Sequence, residues 1–93
     1  MDYKYIEETR RIVALDGEKE AGVITYSDTG NGVWIFDHTY VEPEYRGGPI
    51  AGTLLDRLVE IARKNKVKII PQCSYVRRKF DKIPEYQELE YKA

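Results

Sequence analysis

The sequence predicts a single α/β domain, residues 1–93, in which an antiparallel meander of strands leads into one parallel strand pair. Three observations predict this fold. The length of 93 residues suits one domain, since independent domains commonly run from ~50 to 200 residues. Three β-type segments separated by turn residues come first. A long amphipathic segment and a short apolar one follow, and a strand, a helix and a second strand in that order form a crossover with parallel strands.

The meander is predicted from short segments rich in apolar residues and bounded by turn residues. Residues 11–15 form the first strand, and an Asp-Gly pair then signals a turn before a second strand at residues 20–26. Residues 27–32 are dense in Gly, Asn, Asp and Ser, so the chain should reverse again there. The third strand is expected at residues 33–41.

Alternation along the third strand divides its side chains between two faces, because residues two apart point the same way. Both faces contain large apolar residues, so we expect a central strand that is covered on both sides. One face is expected to carry Trp34, Phe36, His38 and Tyr40, and the other Val33, Ile35, Asp37, Thr39 and Val41.

The amphipathic segment is predicted as a helix with Pro49 in its first turn, where proline is well tolerated. It ends in a cationic run at residues 63–66, which complements the negative end of the helix dipole. Residues 67–71 read as the fourth strand. One or two helical turns are expected at residues 75–82, and Pro84 opens another short helix. The apolar positions, at helical spacing, are Ile50, Ala51, Leu54, Leu55, Leu58, Val59, Ile61 and Ala62.

Composition and charge exclude several classes of protein. Fifteen Lys and Arg against sixteen Asp and Glu leave a net charge of −1, which provides no general basic surface for nucleic acid. No apolar run approaches the ~20 residues of a membrane-spanning helix, and the N-terminus shows no apolar signal segment. We therefore expect a cytoplasmic protein with no nucleic-acid or membrane partner. One His and one Cys predict neither a metal site nor an internal disulfide.

The strongest functional pattern lies at residues 41–55. A strand that ends in a Gly-containing loop and opens into a helix presents free backbone N–H groups at the positive end of the helix dipole. Arg46 can add charge-assisted bonds to phosphate oxygens, while Gly47 and Gly48 allow a ligand to approach the backbone. The pattern favours a pyrophosphate ligand. The alternative is a glycine turn that binds nothing.

This loop resembles the acetyl-coenzyme A loop of the Gcn5-related N-acetyltransferases, whose signature is Q/R-x-x-G-x-G/A. Residues 41–52 read Val-Glu-Pro-Glu-Tyr-Arg-Gly-Gly-Pro-Ile-Ala-Gly, and Arg46, Ile50 and Ala51 fall where the signature expects them. Pro49 replaces the middle glycine of the signature. Its missing N–H removes one donor, which should cost on the order of 1 kcal/mol of cofactor affinity.

Two further segments resemble the very short, cysteine-containing branch of that superfamily. They are His-Thr-Tyr-Val at residues 38–41 and Pro-Gln-Cys-Ser-Tyr-Val at residues 71–76. All three segments occur in the expected order, and the resemblance extends over roughly residues 10–86.

The resemblance implies a small acetyltransferase that moves the acetyl group of acetyl-coenzyme A directly to an amine. His38 is the implied base, because histidine can accept a proton at neutral pH. A backbone N–H near the end of the third strand is the implied donor to the oxyanion. The implied cofactor-binding residues are Thr39, Tyr40, Val41, Arg46, Gly47, Gly48, Ile50, Ala51 and Tyr75.

His38 and Cys73 are expected to approach one cleft from the two parallel strands. Two roles for Cys73 stay open. It could accept the acyl group after activation by His38, or it could protonate the leaving thiolate or simply pack, as buried free cysteines often do. For His38, the alternative is a core histidine that is hydrogen-bonded within an aromatic strand face.

The acceptor side of the cleft is expected to be open, because nothing between the first two strands is long enough to build the helical substrate wall of larger family members. An open side favours a bulky amine acceptor such as a protein amine, or a partner subunit that completes the cleft. The alternative function is a non-catalytic coenzyme A-binding or protein-interaction module with the same fold.

Overall fold

The computed structural model describes residues 1–92 and confirms the predicted fold class. Five strands form one mixed sheet in the order β1-β2-β3-β4-β5. The first three pairings are antiparallel, and β4 and β5 are parallel. The elements are β1 (Asp2–Ile6), β2 (Arg11–Asp16), β3 (Lys19–Asp28), β4 (Val33–Val41), α1 (Ile50–Lys64), β5 (Lys68–Pro71), α2 (Ser74–Lys82) and α3 (Pro84–Gln87).

The crossover helix α1 buries six of the eight residues of the predicted apolar stripe, and Ala51 and Ile61 are half-buried. Its first helical residue is Ile50, with Pro49 at the N-cap, and Arg63 and Lys64 lie in its last turn. No helix in residues 1–92 has the length and apolar character that crossing a membrane requires. The α1 residues buried against the sheet are Ile50, Leu54, Leu55, Leu58, Val59 and Ala62.

All three helices lie on one face of the sheet. A Cβ added to Gly22 of β3 would meet Ile50 and Leu54 of α1, and the Tyr86 hydroxyl of α3 donates a hydrogen bond to Asp56 of α1. The buried residues of α2 belong to the same core cluster. Within residues 1–92 no helix covers the opposite face, so the expectation that β4 is covered on both sides is wrong. We call the uncovered side the open face.

A β-bulge in β4 changes which side chains share a face. Tyr26 of β3 pairs with Phe36, but Thr25 pairs with His38, so Asp37 is an extra residue in the ladder. The predicted division of β4 side chains is therefore wrong beyond Asp37. Register and exposure place Trp34, Phe36, Thr39 and Val41 on the helix side, and Asp37, His38 and Tyr40 on the open face.

Strand β1 is an addition to the predicted meander. It pairs with β2 in antiparallel register, and Tyr3 and Tyr5 pack against the core. The Tyr5 hydroxyl lies 2.7 Å from the Tyr26 hydroxyl of β3. The strand escapes sequence analysis because it has only five residues, and Asp2 and Lys4 alternate with its tyrosines.

The C-terminal segment closes the outer edge of β5. The Ile69 N–H donates to the Leu89 carbonyl at 2.8 Å, and the Ile69 carbonyl accepts from the Tyr91 N–H at 2.8 Å. Arg77 of α2 donates two hydrogen bonds to Glu90, at 2.8 and 3.0 Å. These contacts pair the β5 edge that would otherwise be open to solvent.

Replacing Gly22 with alanine should destabilise the fold by about 1–3 kcal/mol, the usual cost of overpacking a core. The new Cβ would lie 3.0 Å from the Tyr40 carbonyl oxygen and 3.1 Å from Cγ2 of Ile50. Gly52→Ala is the matched control, because its Cβ would meet only the Tyr75 hydroxyl at 3.8 Å. Alanine in a helix gains up to about 1 kcal/mol over glycine. Urea unfolding of both variants checks the prediction, and equal stabilities would contradict it.

Candidate functional site

A gap opens between β4 and β5 where their pairing ends. The last parallel pair joins Phe36 to Pro71. The N–H groups of Gln72 and Cys73 then both donate to the Phe36 carbonyl, at 3.2 and 3.1 Å. β4 continues to Val41 while the chain after β5 turns into α2. The β5 side of residues 37–41 is therefore free of strand pairing, as expected where ligands of α/β sheets bind.

Cys73 faces Thr39 across this gap. Its sulfur lies 3.8 Å from the Thr39 hydroxyl oxygen, and it occupies the N-cap position of α2. Burial by itself raises the pKa of the Cys73 thiol, but hydrogen bonds from the Val76 and Tyr75 backbone and from Thr39 stabilise the thiolate. The net result is a pKa below the ordinary value, as is typical of reactive thiols at helix N-termini.

Thr39→Val should raise the pKa of the Cys73 thiol, because valine keeps the shape of threonine but removes the hydroxyl that stabilises the thiolate. The thiolate is the species that reacts with iodoacetamide. The pH of half-maximal alkylation should therefore move upward in the variant. Ser27→Ala is the control, since its hydroxyl contacts Asp37 and not the thiol. An unchanged alkylation profile in Thr39→Val would contradict the assignment.

His38 lies on the open face, next to the gap but not in contact with Cys73. Its side chain is exposed, and its cross-strand neighbour is Thr25. The alternative reading of a buried core histidine is thus not what the structure shows. The two candidate residues flank the end of the β4–β5 pairing from opposite faces, because the bulge at Asp37 turns His38 away from Thr39.

The loop before α1 leaves the first backbone amides of the helix without hydrogen-bond partners among residues 1–92. Gly47 has φ +85°, and a Cβ there would meet nothing within 4 Å. Pro49 provides no side-chain cap, and the first turn of α1 contains no acidic residue. The Thr53 N–H makes the first hydrogen bond, 2.9 Å to the Pro49 carbonyl. An uncapped helix start beside an open glycine is suited to bind an anion.

Arg46 lies at the junction of this loop with the gap. Its Nε donates to the Val41 carbonyl at 2.8 Å, and its guanidinium carbon lies 5.4 Å from the centre of the Tyr40 ring. Tyr40 is 39% exposed. Arg46 is thereby held beside the loop through Nε and the Tyr40 ring.

Tyr75 of α2 lies beside the first turn of α1. Its hydroxyl would be 3.8 Å from a Cβ on Gly52, in the first turn of α1. Lys79 lies over its ring, with Nζ 5.7 Å from the ring centre. Burial is the main cause that raises the pKa of the Tyr75 phenol. The structure thus brings together α1, α2 and the end of β4, as the sequence predicts.

Two concavities of the structure lie away from the candidate site. A concavity of about 310 Å³ lies between β1 and α1, lined by Tyr3, Arg57 and Ile61 among others. A second, of about 450 Å³, borders the β3–β4 turn. Neither contains a predicted site residue. Within residues 1–92 no group of three or more His, Cys, Asp and Glu side chains is arranged to hold a metal ion.

Sequence reasoning missed two features of the site, the Thr39–Cys73 contact and the polar cluster around Asp37. The hydroxyls of Thr25 and Ser27 donate to the Asp37 carboxylate at 2.6 and 2.7 Å. Both features depend on the bulge in β4, which leaves no recognisable pattern in a single sequence.

Comparison with protein families matches residues 10–89 to a model of the GCN5-related N-acetyl-transferases. No protein with a curated description matches the chain. Among solved structures, an NMR structure of a GCN5-like protein from Staphylococcus aureus is 30% identical, with a TM-score of 0.77. That match covers 99% of this chain and 89% of the other.

More distant structures share the fold. A Mycobacterium tuberculosis protein solved in complex with CoA is 17% identical, with a TM-score of 0.63; the match covers 81% of this chain and 50% of that one. A ribosomal-protein-alanine N-acetyltransferase from Brucella melitensis is 22% identical, with a TM-score of 0.55, and the match covers 89% and 63% of the two chains.

Proposed function

Since this chain belongs to the GCN5-related N-acetyltransferase family, we propose that it binds acetyl-coenzyme A in the gap beside β4 and transfers the acetyl group to an amine. The observation that carries the proposal is the continuity of two features. An uncapped helix start with an open glycine lies at the end of a strand whose last residues lack pairing on the β5 side. The helix start suits the diphosphate of the cofactor, and the strand end that lacks pairing suits its extended, amide-containing pantetheine arm.

The residues that would hold the cofactor follow from this geometry. The backbone N–H groups of Ile50 and Ala51 and the Arg46 guanidinium would bind the diphosphate. Gly47 and Gly48 leave room for it, since a Cβ on either would meet no side chain within 4 Å. The backbone of Thr39, Tyr40 and Val41, which lacks strand pairing only on the β5 side, would lie along the pantetheine arm, and Tyr75 would contact that arm from α2.

The transfer requires a base for the acceptor and a proton for the departing sulfur. When bound, acetyl-coenzyme A supplies an activated acetyl thioester. As the new C–N bond forms, the amine loses one proton, which we assign to His38. Thr39 lies on the part of β4 that has no strand pairing on the β5 side, and we assign its backbone N–H as donor to the acyl oxygen. The C–S bond breaks, and the departing thiolate takes its proton from Cys73 or from water.

The placement of His38 and Cys73 favours direct transfer over a route through acetyl-Cys73. His38 lies on the open face, whereas the Cys73 sulfur faces Thr39 on the helix side, so His38 is not placed to activate the thiol. Direct transfer predicts that Cys73 stays unmodified after incubation with acetyl-coenzyme A alone. Intact-protein mass spectrometry distinguishes the two routes, because an acetyl adduct that a primary amine then removes would establish the two-step route.

The amine acceptor is proposed to be large or flexible, including a protein amine, because the open face has no helix over it in residues 1–92.

A non-catalytic coenzyme A-binding module is the second candidate. The test combines thermal unfolding with detection of released coenzyme A thiol in the presence of amines. A raised Tm with more than one thiol released per protein supports the transferase, and a raised Tm without release supports the module. More than one released thiol per protein is required because the thiol of Cys73 could itself give a signal of one per protein.

A further inference from the structure

The open face carries one carboxylate that the transfer scheme does not use. Asp37 is the extra residue of the β4 bulge, directly after Phe36, where the pairing with β5 ends. Its side chain is half-buried. Thr25 donates to Oδ1 at 2.6 Å, and Ser27 donates to Oδ2 at 2.7 Å. The two hydroxyls on β3 fix the orientation of the carboxylate.

Among the described residues, the side-chain hydrogen bonds to the Asp37 carboxylate come from hydroxyl groups alone. Within residues 1–92 its carboxylate makes no ion pair with a Lys, Arg or His side chain. Arg11 of β2 is the cross-strand neighbour of Thr25. The Arg11 Nε is buried without a hydrogen-bond partner among the described residues and makes no bond to Asp37. Each Asp37 oxygen accepts one hydroxyl and keeps further acceptor capacity. A fixed carboxylate with free acceptor sites on an uncovered face suits a cationic ligand.

His38 follows Asp37 in the chain and lies on the same face, opposite Thr25 in the ladder. We infer that Asp37, held by Thr25 and Ser27 beside His38, binds the acceptor as an alkylammonium ion and so selects cationic primary amines. This inference rests on the proposed function. Binding at Asp37 would place the ammonium beside His38 and the end of the gap. The ammonium loses one proton to water to become the neutral nucleophile, and His38 takes the second proton as the C–N bond forms. Asp37 is a specificity residue in this account, and His38 is the base.

Polyamines and the lysine side chains of proteins share this chemistry, so the test uses both sources. Spermidine and a lysine-containing peptide are cationic at pH 7, whereas p-toluidine is a neutral amine. Asp37→Asn removes the charge and keeps the size. Loss of a charge-assisted hydrogen bond should raise KM for the cationic amines by about tenfold or more, with KM for p-toluidine and for acetyl-coenzyme A unchanged. Glu88→Gln, which removes an exposed carboxylate far from the gap, should leave every KM unchanged.

Two outcomes would overturn the inference while leaving the transferase intact: an unchanged KM for cationic amines in Asp37→Asn, or an equal change for p-toluidine. Thr25→Val provides a second variant should Asp37→Asn fold poorly, and it should raise the same KM values by a smaller factor. If the wild-type protein acetylates no amine, the proposed function fails. In that case, spermidine is titrated into the wild-type protein and into Asp37→Asn while the His38 amide resonance is followed. A chemical-shift change of the same size in both proteins would refute the inference.

Discussion

Replacing His38 with alanine should lower kcat for acetyl transfer by about a hundredfold or more, because a positioned base contributes roughly 10²- to 10⁴-fold to such reactions. A primary alkylamine is mostly protonated at neutral pH and must lose a proton to attack a thioester. His38 is the only histidine of the chain, and it is exposed on the open face beside the gap. Affinity for acetyl-coenzyme A should change little, because the loop and the start of α1 bind the diphosphate.

Steady-state kinetics of His38→Ala, with kcat and KM determined separately, check this result. Cys73→Ala is the informative partner variant, since direct transfer predicts a much smaller loss of kcat than for His38→Ala. A wild-type kcat in His38→Ala would show that another group or water takes the proton. Equal losses in both variants, together with an acetyl adduct on Cys73, would establish the two-step route instead.

Leu58→Ala should cost about 2–5 kcal/mol of unfolding free energy, the range for truncating a buried leucine. Leu58 lies on α1 and is 0% exposed within the core cluster that joins the sheet to the three helices. Domains of this size have a total stability of about 5–15 kcal/mol, so the variant should unfold at a markedly lower denaturant concentration. Urea unfolding followed by circular dichroism measures the change.

Leu58→Met is the matched control, because a volume-conserving substitution costs less than about 1.5 kcal/mol. A large loss in Leu58→Ala with a small loss in Leu58→Met would confirm that packing volume at this position matters. Near-identical stabilities for the two variants would mean that the α1–sheet core is looser than the structure shows.

Much of the fold follows from local patterns in the sequence. The spacing of Leu54, Leu55 and Leu58 predicts α1. The turn predicted at residues 27–32 is found at residues 29–32, because β3 continues to Asp28. The crossover rule then gives the parallel pairing of β4 with β5. Strand β1 has no comparable pattern, because five residues with two charges carry too little periodicity. The tail pairing at Ile69 depends on contacts between distant parts of the chain.

The candidate site was predictable in its location but not in its internal arrangement. Strand ends, glycines and the helix start locate the loop at Arg46 and the gap beside β4. The relative orientation of His38 and Cys73 was not predictable, since alternation assigns faces correctly only in a regular strand. One inserted residue, Asp37, reverses the assignment for every β4 position after it. That reversal brings Thr39 to Cys73 and leaves His38 with Asp37 on the open face.

The account depends on one binding mode, with the diphosphate at the start of α1 and the thioester arm beside β4. Titration of ¹⁵N-labelled protein with acetyl-coenzyme A, ATP and NAD tests it most directly. The account predicts that acetyl-coenzyme A shifts the amide resonances of Ile50, Ala51 and Thr39 together in one saturable transition, and that ATP and NAD leave Thr39 unmoved. Equal responses to all three nucleotides, or no response at Thr39, would contradict it.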